Sequence, residues 1–174
     1  VERLAVAPAP VAAVPDRAVP VEVVREWIAP DVFDRLVSGG DLFLAELRTA
    51  YPIFVRFGGF DFEHGDVEGV LDEFIREVQA TLARFRGSLL GITVGDTGAY
   101  LNAVVGTPRS HEDDALRAVA ASVAIRDLEG RTAASSIQVG VSVGQVYSGT
   151  YGSPTRRAMS VLGDPVNLAA RLMT

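Results

Sequence analysis

The chain has 174 residues, 48% of them hydrophobic and 22% charged, enough apolar material to bury a substantial core as one domain. A formal net charge of −6 argues against a nucleic-acid surface or an anionic membrane as partner. There is no cysteine, and every basic residue is arginine, so disulfides, thiolate metal sites and lysine chemistry are excluded.

No apolar run reaches the roughly 18 residues of a membrane-crossing helix. The N-terminus lacks the basic start and compact apolar stretch of a secretion signal. Together with the missing cysteines, this suits a cytoplasmic domain.

Residues 1–20 are rich in Ala, Val and Pro, with Pro8, Pro10, Pro15 and Pro20 keeping the backbone extended, which reads as a linker. Residues 21–50 read as an N-terminal helical arm, in which Pro30 divides Val21 to Val37 into two short helices. Trp27 in the arm is expected to pack on an apolar patch. Residues 51–174 form the main domain. Tyr51 to Gly58 is a compact apolar run ending in Gly58-Gly59, a buried strand. From Val67 to Phe85 apolar residues recur at helical spacing, with Glu68, Asp72, Glu73 and Glu77 on the wet face.

Leu89 to Val94 and Ala99 to Val105 are strand-like and flank Gly95-Asp96-Thr97-Gly98, a hairpin turn. A helix follows over Glu112 to Leu128, then a glycine-rich strand pair, Ile137 to Val143 and Gln145 to Tyr151. Met159 to Leu162 is a last short strand running into Gly163. Asp164 suits an N-cap and Pro165 the first helical position, where a missing N–H costs nothing. Asn167 and Arg171 then stand four residues apart, on one face of that helix. An amide beside a guanidinium suits an anionic group, since the arginine fork meets phosphate bidentately. Read as a bare pair, they suit a solvated helix face better. His64 and His111 lie far apart in loops and read as structural.

Runs of strands separated by two long helices predict an α+β fold: a ferredoxin-like, mainly antiparallel mixed sheet with helices on one face. The chain stops inside its last helix, so the domain reads as truncated at its C-terminus.

From about Tyr51 to Met173 the sequence resembles the class III nucleotidyl cyclases, the adenylyl and guanylyl cyclase catalytic domain. Phe54-Val55-Arg56-Phe57-Gly58-Gly59-Phe60 is similar to the first-strand motif Phe-x-Asp-Ile-x-Gly-Phe, and Gly95-Asp96 to the hairpin Gly-Asp. His111 to Ala118 resembles the opening of the family's second helix. Gly140, Gly144, Gly149, Gly152 and Arg156 follow its glycine-rich strands. The closing Gly-Asp-x-Val-Asn-x-Ala-Ala-Arg-Leu is unbroken over 163–172.

The resemblance implies a reaction in which a nucleoside triphosphate, ATP or GTP, becomes a 3′,5′-cyclic nucleotide and pyrophosphate. It implies two divalent ions, Mg or Mn, held by two aspartates. Asp96 matches the hairpin aspartate, but Arg56 occupies the first-strand position, and a guanidinium repels a cation at close range. Of the base-reading positions, Ile92 stands where adenylyl cyclases have a lysine, and Ser160 where they have an aspartate or threonine. Asn167 and Arg171 match the transition-state pair. Class III sites form head to tail between two domains, so a chain that keeps this pair and lacks one metal aspartate resembles the second half of a tandem soluble adenylyl cyclase. Its implied partner is a second cyclase homology domain holding most of the metal. By itself the chain is expected to be inactive. Two other readings stand beside this one: a degenerate half that regulates an active one, and a nucleotide-binding sensor without turnover.

Overall fold

The computed structural model describes residues 19–28, 30–38, 46–62, 67–95, 98–153 and 156–174. The linker over residues 1–18, Asp96 and His64 therefore lie outside the described residues.

The arm forms two short helices, α1 (Val21–Glu26) and α2 (Pro30–Val37), and Pro30 stands at the start of α2, where its fixed φ is an asset. The rest alternates as β1 (Glu46–Gly58), α3 (Val67–Arg84), β2 (Gly87–Gly95), β3 (Gly98–Val105), α4 (Asp114–Arg126), β4 (Ser136–Val141), β5 (Gly144–Ser153), β6 (Arg156–Leu162) and α5 (Asp164–Leu172). The six strands form one antiparallel sheet in the order β2-β3-β1-β5-β6, with β4 also paired to β1. This is the mixed α+β architecture expected from the sequence.

β1 begins five residues before Tyr51, and its 13 residues are the spine of the sheet. One edge pairs with β3, from Tyr51↔Val105 to Phe57↔Ala99. The other pairs with β4 from Gly58↔Ser136 to Ile53↔Val141, and with β5 from Ala50↔Gly144 to Glu46↔Ser148. The register is unchanged across the gap, so β4 and β5 are not the strand pair that the sequence suggested. They run end to end along β1, interrupted opposite Pro52. Proline has no N–H to give the ladder, and there the Ser142 N–H bonds the Pro52 carbonyl at 3.2 Å.

Pleating sends alternate residues to opposite faces. Ile53, Val55 and Phe57 of β1, Leu101, Ala103 and Val105 of β3, and Ile137 of β4 point to one face. There they meet Phe74, Val78 and Leu82 of α3 and Ala118, Ala121 and Ile125 of α4, all buried. The acidic residues of α3 lie exposed on its far side. A smaller cluster of Ala50, Val104, Val146 and Val161, with Val166 of α5 against it, occupies the other face. The two long helices thus share one face, and α5 crosses the opposite one.

Candidate functional site

Glycines fix where α5 lies. A β-carbon at Gly140 would stand 2.5 Å from Met173 N and 2.8 Å from Leu172 C, and one at Gly144 would stand 2.6 Å from Pro165 Cγ. Only residues without side chains let the helix rest so close on the β4–β5 line. The buried Ser142 hydroxyl donates to the Pro165 carbonyl at 2.5 Å, tying the first turn of α5 to the break between β4 and β5. Gly163 supplies the turn into the helix at φ 151°. It is Gly163 that holds the N-cap position, and Asp164 is the first helical residue, with no side-chain cap. Asp164 still belongs to the first turn and Arg171 to the last, the arrangement the helix dipole favours at each end.

The underside of α5 is formed by Val166, Ala169 and Met173, of which Ala169 is fully buried. Asn167, Leu168, Arg171 and Leu172 are exposed, on the side of the helix away from that underside. With Val143, Asp164 and Pro165, the side chains of Asn167, Leu168 and Arg171 line an open groove of about 340 Å³. Sequence spacing puts the amide and the guanidinium on one helix face, and the fold keeps them there, turned outward.

The other sequence-derived positions lie elsewhere on the sheet. Arg56 is exposed on β1, opposite Tyr100 and Gln138. A β-carbon at Gly98 would stand 3.5 Å from Arg56 Nε, so the guanidinium lies against the base of the β2–β3 hairpin. A positive group there does not fit a cation, and no cluster of three or more acidic or histidine residues suited to a metal occurs among the described residues. Ile92, 42% exposed, pairs with Leu101. A one-residue irregularity between Leu89 and Gly91 sets that phase and puts Ile92 on the face of α3 and α4, away from α5. Ser160 is half-buried on β6 opposite Gly149.

His111 lies in the loop before α4. Its backbone N–H bonds Asp114 Oδ2 at 2.6 Å, and its Nε2 lies 3.2 Å from Arg86 Nη1. Trp27 differs from expectation: it is 85% exposed rather than packed. The positions that sequence reasoning did not single out are Pro52 and Ser142, whose roles depend on a register that only the folded sheet reveals.

No family model matches the chain. Adenylate cyclase type 10 of Oryctolagus cuniculus is 28% identical over 153 residues, covering 86% of this chain and 9% of that protein. The chain thus spans about a tenth of the length of the curated relatives it matches. The guanylate cyclase domain of RhGC from Catenaria anguillulae, solved in complex with GTP, superposes with a TM-score of 0.62 at 23% identity, over 74% of each chain. The adenylyl cyclase CyaB from P. aeruginosa gives a TM-score of 0.65 at 21% identity, over 75% of this chain and 74% of that one. No described helix is long and apolar enough to cross a membrane. The chain has the class III nucleotidyl cyclase fold, and over most of its length its sequence resembles that of an adenylate cyclase.

Proposed function

We propose that this domain is one half of a class III cyclase site and contributes Asn167 and Arg171 to a cleft completed by a second cyclase homology domain. The observation that carries this reading is the outward placement of both side chains along one groove, on a helix seated by Gly140 and Gly144.

In the reaction, the ribose 3′-oxygen attacks the α-phosphorus of ATP or GTP and the bond to pyrophosphate breaks. The carboxamide of Asn167 can donate to one ribose oxygen and accept from another, which fixes the direction of attack. The Arg171 guanidinium forks onto the phosphate oxygens, where negative charge shifts as the bond to pyrophosphate opens. Arginine fingers in other phosphoryl-transfer enzymes contribute about 10³–10⁵ in rate. The divalent ions are held mainly by the partner half, since Arg56 does not fit a cation. The partner is expected as a domain of the same parent protein, working in the cytoplasm.

A second reading draws on Arg56 and on the placement of Ile92. Both remove expected chemistry, and both suit a degenerate half that modulates an active partner. Mixing this chain with a cyclase half that carries both aspartates, and assaying ATP and GTP with Mg²⁺ or Mn²⁺, separates the two. Turnover that collapses in Arg171→Ala supports the catalytic half. Modulation of the partner's own rate that survives Arg171→Ala supports the degenerate one.

A further inference from the structure

A second cavity among the described residues shares no lining residue with the α5 groove. It lies between the α1–α2 arm and the sheet, and its volume is about 540 Å³. From the arm, Trp27, Ile28, Val32 and Leu36 form one wall. Leu90 of β2, Val104 of β3 and Met159 of β6 form part of the other.

We propose that this cavity is a binding site for an uncharged, largely apolar aromatic molecule. Three observations carry the proposal. First, the volume falls within the roughly 300–1,000 Å³ of small-molecule sites, whereas close-packed interiors leave few voids larger than a water. Second, among the described residues no charged side chain lines it, and its polar side-chain groups are the hydroxyls of Ser88, Thr107 and Thr150 and the indole N–H of Trp27. Thr107 is already bonded to Ser148. A charged ligand would lose its hydration there without a partner, while an apolar one replaces water that has few polar groups to hold it. Third, the indole of Trp27 stands 85% exposed on this wall, a large ring whose apolar surface a flat ligand would cover.

The arm can admit such a ligand. An exposed ion pair, Arg109 to Asp34 at 3.8 Å, links α2 to the loop after β3, and contacts of that kind are worth only about 0–1 kcal/mol. A bound ring would join the arm to β6, the strand that runs directly into Gly163 and α5.

Trp27 is the chain's single tryptophan, so its emission reports on this cavity alone. The test is titration of the chain with N-phenyl-1-naphthylamine, an uncharged aromatic probe that accepts energy from indole. The expected result is saturable binding of one probe per chain, with Trp27 quenched as probe emission rises. Ala158→Phe, which fills the cavity, and Leu36→Asp, which charges the arm wall, are each expected to weaken binding by about tenfold or more, the effect of losing an apolar contact set. Leu116→Asp removes an apolar side chain that is 71% exposed on α4 and is expected to leave binding unchanged. Circular dichroism identifies any variant that fails to fold, and the other cavity variant then decides. Unsaturable binding, wild-type affinity in a folded cavity variant, or loss of binding in Leu116→Asp would overturn the proposal.

Discussion

Gly140 of β4 lies directly beneath Ala169 of α5, so close that a β-carbon on the glycine would overlap the alanine's carbonyl oxygen. One missing side chain therefore sets the height of the helix that carries Asn167 and Arg171.

Gly140→Ala is the sharpest test of that seating. The new methyl group forces α5 outward, an overpacking that typically costs about 1–3 kcal/mol. Chemical denaturation should show the loss. In the paired cyclase assay, the folded variant should lose activity out of proportion to its folded fraction, because Arg171 has moved. Unchanged activity would mean that the height of α5 does not matter.

Substitutions at Arg171 should separate charge from shape. Arg171 is exposed and its side chain belongs to no core cluster, so Arg171→Lys should alter stability by no more than about 0.5 kcal/mol. It should nevertheless restore little of the activity lost in Arg171→Ala, because an ammonium cannot fork across two oxygens. Thermal melts and steady-state kinetics on the paired protein would check both halves of this expectation.

The core should respond quite differently. Phe74 is fully buried, with its ring 4.9 Å from Phe57 and 5.5 Å from Phe60. Phe74→Ala should cost about 3–5 kcal/mol, enough to unfold a domain of ordinary stability. Urea denaturation reads this directly, and a loss below about 1 kcal/mol would contradict the packing described.

One pH effect follows from the start of α4. A hydrogen bond from Arg117 to Asp113, 2.7 Å long, holds the Asp113 carboxyl below its ordinary range. A lowered folded pKa stabilises the fold above the unfolded value of about 3.9 and loses that contribution as pH falls through the folded value. Asp113 is half-exposed, so solvent screens the pair and the effect is small. The melting-temperature gap between wild type and Asp113→Asn should narrow on going from neutral pH to below the folded value. A gap that widens on acidification would reverse the sign.

Much of the fold is legible in the sequence because local patterns and the tertiary arrangement agree. Helical periodicity locates α3 and α4, and Gly95 to Gly98 mark the turn between β2 and β3. The four-residue spacing of Asn167 and Arg171 is enough by itself to put them on a shared face. Pairing is harder to read, because register is a property of two strands at once. Nothing local to 136–153 says that Ser142 and Val143 interrupt one long line rather than join a hairpin; Pro52, about ninety residues earlier, decides it. The face of Ile92 is hidden for a similar reason, since the irregularity at Leu89 and Gly91 shifts the phase of β2. Trp27 departs from expectation because an apolar residue in a short arm packs only if a surface comes to meet it.

The most direct measurement is cyclic-nucleotide formation from ATP and from GTP by three samples: this chain alone, this chain with a half carrying both metal aspartates, and the same pair with Arg171→Ala. The expected result is no product from the chain alone, product from the pair, and a drop of about 10³-fold or more in the variant. Product from the chain alone, or a variant pair as fast as the original, would contradict it.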